Sequence, residues 1–320
     1  MKLYIMSEPQ NDKLIRKIKE KCRGQLRINE SLSKHTTFGL GGPADLFFLP
    51  ADLEDLATVV PILKDANLPI LPLGGGTNTL VRDAGFRGVV LCLTAGAHNI
   101  AVSENLVQAG ASTQVFSRQC QRAGKTGFEF GCGIPGTIGG AIRGNAGAWG
   151  GETFDNLISI RGLNLKTGND EAYKKADITF AYRRTSLSPD FLIVDATFQL
   201  DEGNPETIQE TMAQMLSERK TSQPLSNRSP GCIFKNPPGT SAGLLIDQAG
   251  CKGLSVGAVQ VSDVHANFMI NLGGTSADDV LSLIDQVTQR VQKVHNITLE
   301  PEVRIIGEYG IENKTLETAS

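Results

Sequence analysis

Two glycine clusters constrain this chain more than any other feature. Residues 72–78, PLGGGTN, place three consecutive glycines directly after an apolar run, and nine more glycines fall within residues 131–151. Glycine loses more backbone freedom on folding than any other residue, so such clusters point to tight turns or to something that must approach the main chain closely. Consecutive glycines also let neighbouring N–H groups converge on an anion. A ligand-free turn or core contact is the competing explanation for either cluster, and the occurrence of two weighs against it. The second cluster contains Gly131, Gly133 and Gly136 in the G-x-G-x-x-G spacing of a dinucleotide-binding turn. Pro135 interrupts it, and more glycine stands where an amphipathic helix must open, so a Rossmann unit is rejected.

The chain has 320 residues, 40% hydrophobic and 20% charged, with a formal net charge of -3. That is enough for two or three domains with buried cores. It excludes disordered, collagenous and coiled-coil classes. Interleaved charges leave no basic footprint for nucleic acid. The opening MKLYIMSEPQNDK carries an acid and a proline where a secretory leader needs an apolar stretch, and no run approaches the ~18 apolar residues of a membrane span. Six cysteines, at 22, 92, 120, 132, 232 and 251, make no C-x-x-C pair and no zinc spacing, which suits a reducing compartment. A cytoplasmic protein with small-molecule partners, no metal and no membrane contact is expected.

Amphipathic spacing predicts helices over 12–22, 53–66 with a break or kink at Pro61, 113–123 closed by Gly124, 206–220 and 242–249. A long helix follows Ser276, with acids in its first turn and Val280, Ile284, Val287, Val291 and Val294 on one apolar face. Strands are expected at 68–73, 89–93, 106–109, 157–165, 178–182, 191–200, 256–261, 268–271 and 299–307. The middle strands have an antiparallel texture, and residues 201–205, DEGNP, are the best linker candidate.

In order along the chain, HTTFGLGGPAD (35–45), PLGGGTNTLV (72–81), GIPGTIGGAIRGNAGAWGGE (133–152), FAYRRTSL (180–187), GCIFKNP (231–237), HANFMIN (265–271) and LEPEVRIIG (299–307) resemble the UDP-N-acetylenolpyruvoylglucosamine reductases, flavoenzymes of peptidoglycan precursor synthesis. The resemblance implies an α+β fold. An FAD-binding domain of the vanillyl-alcohol-oxidase (PCMH) type would form two α+β subdomains, 1–72 with 303–320 and 73–204, followed by a C-terminal α+β substrate-binding domain, 205–302. It also implies a monomer with non-covalent FAD, NADPH as co-substrate, and UDP-N-acetylglucosamine enolpyruvate as the substrate reduced to UDP-N-acetylmuramate. FAD would lie against Gly74, Gly75, Gly76, Thr77, Asn78 and Thr79, and against Gly133, Ile134, Pro135, Gly136, Thr137, Gly139, Gly140, Asn145, Ala146 and Gly147.

In that chemistry, hydride delivered from flavin N5 to substrate C3 pushes negative charge onto the substrate carboxylate. A guanidinium can grip that group bidentately while staying charged. The family's tyrosine-arginine pattern selects Arg183, after Tyr182, over its neighbour Arg184. The second glutamate of L-E-P-E-V selects Glu302 over Glu300 to polarise the same carboxylate. Without the family pattern both would read as charges at strand ends. Tyr182, Lys220, Asn236 and Asn267 match substrate-contacting positions, Arg219 and Arg228 are candidates to share phosphate binding, and His265 reads at least as well as a hydrogen-bonded structural histidine.

One position departs from the pattern. Where the best-known relatives carry a serine proton donor in G-S-x-F-K/R-N-P, this chain has Cys232. A thiol is more acidic than a hydroxyl, with an ordinary pKa near 8.5, so it can give a proton to C2 and stand as thiolate afterwards. A steric stand-in for serine, with water as the donor, is the competing reading. Residues 201–205 also leave little room for the tyrosine-bearing loop of one family branch. An FAD oxidase or dehydrogenase of the same superfamily acting on a sugar or hydroxy acid explains the glycines, but not Cys232 with Lys-Asn-Pro and Glu302 together. A non-catalytic nucleotide-binding module is the remaining alternative.

Overall fold

The computed structural model describes residues 8–312, with side chains from Asp12 onward. The chain folds as two compact units. The first comprises the described residues up to Asn29, then Asp45–Gly75 and Gly88–Arg219; the second comprises Glu30–Ala44, Gly76–Arg87 and the described residues from Lys220. The first glycine cluster is therefore divided, with Gly74 and Gly75 in one unit and Gly76 onward in the other.

A four-stranded sheet runs in the order Gln25–Ser31, Pro43–Leu49, Phe86–Cys92, Ile70–Leu73, its strands lying mostly in the first unit. Ile70–Leu73 pairs parallel to Phe86–Cys92 and so carries the chain into the first glycine cluster. The helix Leu53–Ala66 begins where Asp52 caps the Asp55 N–H, and it runs unbroken through Pro61, contrary to the expected break. Pro61 is exposed, as is Ala57, whose carbonyl loses its usual donor, so no buried group is orphaned. Leu56, Val59, Val60, Ile62 and Leu63 hold the helix in the core.

The other main sheet of this unit is wholly antiparallel, as expected, in the order Asp170–Lys174, Leu157–Asn164, Phe191–Phe198, Leu106–Gln108, Ile100–Ala101. Phe116, Phe128 and Phe198 pack with ring centroids 4.8–5.6 Å apart in its core. The DEGNP segment is not a linker. Asp201 and Glu202 pair with Thr126 and Lys125, and Asn204 Oδ1 accepts the N–H groups of Glu206 and Thr207 at the start of the helix Pro205–Ser222.

In the second unit the antiparallel strands Ser255–Val256, Val259–Val261 and Met269–Asn271 pack against the helix Ala277–His295. The Ser276 hydroxyl accepts the Asp279 N–H while the Asp279 carboxylate accepts the Ser276 N–H, a reciprocal cap that holds Asp279 below the usual carboxylate pKa. Val280, Ile284, Val287 and Val291 are buried as the spacing predicts, and Leu283 joins them. Val294 does not: it is 56% exposed in the last turn. The strand expected over 299–307 forms only at Arg304–Gly307, parallel to Thr79–Val81. Among the described residues no helix is long and apolar enough to cross a membrane.

Candidate active site

Within the first unit the two glycine clusters meet. A Cβ built on Gly74 would collide with Thr137 Oγ1, and Thr137 in turn caps the short helix Ile138–Arg143 by accepting the Gly140 N–H at 3.4 Å. Many of the glycines answer to the protein's own packing and not to a ligand. A side chain at Gly133 would strike the Trp149 ring, and one at Gly139 would press on Ala109. Gly140, Gly144 and Gly150 differ. A Cβ on either of the first two would meet a single atom, at 3.5 Å and 3.6 Å, and one on Gly150 would meet nothing within 4 Å. These positions leave bare backbone open to approach.

Asn145 is fully buried at φ +41, with Nδ2 donating to Ala181 O at 3.3 Å and Oδ1 accepting the Phe154 N–H at 3.1 Å. Its carboxamide is thus engaged inside the protein, tying the glycine ribbon to a hairpin formed by Phe180–Ala181 and Arg184–Thr185. Thr185 Oγ1 donates to Arg143 O at 3.1 Å, which fastens the same hairpin to the helix, and Arg143 donates to the Leu187, Ser188 and Phe191 carbonyls beyond it. Its two-residue turn is Tyr182–Arg183. Arg183 sits in the left-handed region at φ +55, where a residue other than glycine carries strain of about 1–2 kcal/mol. Its guanidinium lies 4.9 Å from the Tyr182 ring centroid, with Nη1 donating to Asn145 O at 3.4 Å and Nη2 to Gly147 O at 3.1 Å. The arginine selected by the family pattern is therefore held along the second glycine cluster, whereas Arg184 is exposed and pairs through its backbone with Ala181. Arg219 donates to Gly133 O, and Trp149 Nε1 donates to Glu218 at 3.0 Å.

In the second unit, Cys232, Ile233 and Phe234 form the middle of a three-piece backbone frame. Cys232 bridges Phe268 on one side and Phe234 bridges Pro301 on the other. The Ile233 N–H donates to Asn267 O at 2.9 Å, and Ile233 O accepts the Glu302 N–H at 2.7 Å. Glu302 is thus hydrogen-bonded to Ile233, the residue that follows Cys232. Gly231, at φ +85, leaves open space directly before Cys232.

Asn267 is buried with both ends of its carboxamide on one residue: Oδ1 accepts the Phe234 N–H at 2.9 Å and Nδ2 donates to Phe234 O at 2.8 Å. It serves as a substitute strand edge for the Cys232 segment. Its own N–H donates to His265 Nδ1 at 3.2 Å, and burial holds the imidazole below the ordinary histidine pKa, so His265 is a neutral structural acceptor. Glu300 is ion-paired with Lys235. Asn236 Oδ1 accepts the Ala242 N–H at 3.0 Å, and Lys220 is exposed near the end of its helix. Asn267→Leu should leave both main-chain groups of Phe234 unsatisfied in the core, at about 1–3 kcal/mol for each. Urea denaturation should show that loss, and an unchanged midpoint would mean the carboxamide is dispensable.

Asn78 joins the two candidate sets. Its carbonyl accepts the Arg304 N–H at 3.1 Å, its Nδ2 donates to Glu302 O at 3.2 Å, and its Oδ1 is buried with no hydrogen-bond partner among the described residues. An orphaned buried acceptor in the first cluster fits a residue built to hold a cofactor. Sequence reasoning passed over Arg304, whose only signal was a charge at the head of the buried Ile305-Ile306 run.

Comparison with known proteins agrees with this organisation. A profile described as FAD binding domain matches residues 44–169, and one described as UDP-N-acetylenolpyruvoylglucosamine reductase, C-terminal domain, matches 223–306. The UDP-N-acetylenolpyruvoylglucosamine reductase of Geobacter metallireducens is 42% identical over 304 residues, covering 93% of this chain and 99% of that protein. That of Heliobacterium modesticaldum is 41% identical over 292 residues, covering 90% and 93%. The crystal structure of UDP-N-acetylenolpyruvylglucosamine reductase from Thermus caldophilus matches with a TM-score of 0.76 at 36% identity, over 88% of this chain and 98% of that one. With both domain profiles matched in order and relatives aligned nearly end to end, the chain belongs to the UDP-N-acetylenolpyruvoylglucosamine reductase family.

Proposed function

We propose that this chain reduces UDP-N-acetylglucosamine enolpyruvate to UDP-N-acetylmuramate with NADPH as the reductant, a step in making peptidoglycan precursor. FAD is its cofactor, and the chain is an oxidoreductase. When bound, FAD supplies the hydride chemistry, taken from NADPH and given from N5 to substrate C3. Gly74–Thr79 and, within 133–147, Gly133–Thr137, Gly139, Gly140 and Asn145–Gly147 are the residues assigned to hold it, with Asn145 fixing the second stretch from inside.

Cys232 supplies the proton at C2 from Sγ, so that hydride and proton together saturate the enolpyruvyl double bond. Arg183 binds the substrate carboxylate as charge develops there, and Glu302 is assigned to the same group. Tyr182, Lys220 and Asn236 are assigned to the rest of the substrate, and Asn267 is a positioning residue for the Cys232 segment. The division into 1–72 with 303–320, 73–204 and 205–302 is proposed with these roles; residues 1–7 and 313–320 lie outside those described. The protein is proposed to act as a cytoplasmic monomer. The observation that supports the reading is the frame around Ile233, the residue after Cys232, whose carbonyl accepts the Glu302 N–H while Asn78 Nδ2 donates to Glu302 O.

The discriminating assay is NADPH oxidation with and without the enolpyruvyl sugar nucleotide. One NADPH consumed per nucleotide reduced is expected. Oxidation indifferent to the nucleotide would favour an oxidase or dehydrogenase of another substrate, and none at all would favour a binding module.

A further inference from the structure

The loop 262–268 of the second unit is closed by its own bonds. The buried Ser262 hydroxyl accepts the N–H groups of Val264 and His265 at 3.2 Å and 3.4 Å. The Ser262 N–H donates to Phe268 O at 2.8 Å, and the Phe268 N–H donates to His265 O at 2.9 Å. The Asn267 N–H goes to a side chain instead, donating to His265 Nδ1 at 3.2 Å. The imidazole is held there from two sides. Phe268 meets it edge-on with ring centroids 4.8 Å apart, and Gly243 of the helix Ala242–Gln248 comes so close that a Cβ would stand 3.1 Å from Cε1.

Asn267 is the residue on which the Cys232 segment hangs. Its carbonyl accepts the Ile233 N–H, its carboxamide takes both main-chain groups of Phe234, and Phe268 next to it bridges Cys232. One nitrogen lone pair on His265 therefore secures the residue that secures the two positions after Cys232. An acceptor on Cγ that takes the N–H two residues on is the geometry of an Asx turn, which asparagine makes with Oδ1. Imidazole differs from a carboxamide in one respect: a proton on Nδ1 turns the acceptor into a donor, with nothing to offer the Asn267 N–H.

Among the described residues the ring makes no ion pair, and the bond to Asn267 is its one hydrogen bond. The helix Ala242–Gln248 brings Asp247, which is ion-paired with Lys252, and the strand Met269–Asn271 brings no charge. The segment 231–237 brings Cys232 and Lys235, the latter paired with Glu300, and the loop itself carries Asp263. Burial first, and then the charge of Lys252, hold the imidazole below the ordinary value of 6.5, which keeps the acceptor available at neutral pH.

We propose that His265 is a positioning residue for the reductase reaction: its unprotonated Nδ1 holds Asn267, and through Asn267 the main chain that carries Cys232, so that the proton donor keeps its place only while the imidazole is neutral. This rests on the reading of Cys232 as the donor to C2. His265 itself touches neither substrate nor cofactor in this account.

The test follows both half-reactions of the FAD-loaded full chain by anaerobic stopped flow, from about pH 5 to about pH 8, for wild type, His265→Asn and His265→Leu. Wild-type reoxidation by saturating enolpyruvyl nucleotide should fall on the acid side through a pKa below 6.5, and reduction by NADPH should not share that limb. His265→Asn should match wild type at neutral pH and lose the acid limb, because Oδ1 accepts the same N–H without titrating. His265→Leu should reoxidise about 10–10²-fold more slowly at every pH, the cost of displacing a catalytic group by about an ångström, with FAD affinity and reduction by NADPH unchanged. Should the leucine variant fail to hold FAD, the pH profile of His265→Asn decides. An acid limb retained in His265→Asn would overturn the proposal, as would His265→Leu reoxidising at the wild-type rate or His265→Asn as slow as His265→Leu. Cys232→Ala run alongside separates the two claims: its reoxidation at the wild-type rate would overturn the proton-donor reading and this inference with it.

Discussion

Cys232→Ala should leave anaerobic reduction of the flavin by NADPH intact and slow its reoxidation by the enolpyruvyl nucleotide by about 10²–10⁴-fold, the usual worth of a positioned general acid. The separation of the half-reactions is what makes this informative. A residue that merely supports the fold would damage both, whereas a proton donor to C2 is needed only after hydride has a destination. Cys232→Ser should retain activity and extend it to higher pH, because a hydroxyl keeps its proton where a thiol has lost it. The wild-type rate of reoxidation should correspondingly fall as the thiol deprotonates. Alkylating reagents should inactivate the enzyme, with protection by substrate, and four of the other thiols compete poorly: burial raises Cys22 to about 11 and Cys120 to about 12, and also raises Cys132 and Cys251. Reoxidation of Cys232→Ala at the wild-type rate would make water the donor.

Arg183→Met should lower kcat for the enolpyruvyl nucleotide by about 10²–10³-fold, the loss seen when a donor aimed at developing transition-state charge is removed. Arg183→Lys should recover only part of this, since an ammonium cannot reproduce a planar fork. The backbone supplies a control. Arg183 occupies φ +55, so Arg183→Gly removes the guanidinium while relieving left-handed strain, and its thermal stability should be at least that of wild type although its turnover is not. Stability and activity moving in opposite directions would mark the residue as functional. A glycine variant that turns over normally would remove Arg183 from the chemistry.

Much of the architecture was legible because it rests on local signals. The Ser276 cap with acids behind it, the valine face of the last long helix and the antiparallel middle strands all follow from periodicity and capping chemistry. Pro61 shows where local reasoning fails, since burial of five neighbouring apolar residues outweighs one missing hydrogen bond on an exposed face. Residues 201–205 fail differently: a polar, glycine- and proline-bearing pentapeptide reads as a linker until Asp201 and Glu202 find partner residues far back in the chain at Lys125 and Thr126.

The candidate site divides in the same way. Motifs name Arg183, Cys232 and Glu302, but only the fold shows that Asn267 is a strand substitute and Asn145 a tie to the hairpin, because the partners of a carboxamide are not written beside it in sequence. The glycine excess was half understood. Gly74 and Gly133 are demanded by Thr137 and Trp149, while Gly140, Gly144 and Gly150 keep the open backbone that the clusters suggested.

The most direct measurement is an anaerobic spectrum of the purified holoprotein near 450 nm. The flavin absorbance should bleach on addition of one equivalent of NADPH, stay bleached with UDP-N-acetylglucosamine, and return when UDP-N-acetylglucosamine enolpyruvate is added, with UDP-N-acetylmuramate formed in equal amount. Colour that fails to return with the enolpyruvyl nucleotide, or that returns as readily with the non-enolpyruvyl sugar nucleotide, would contradict the assigned function.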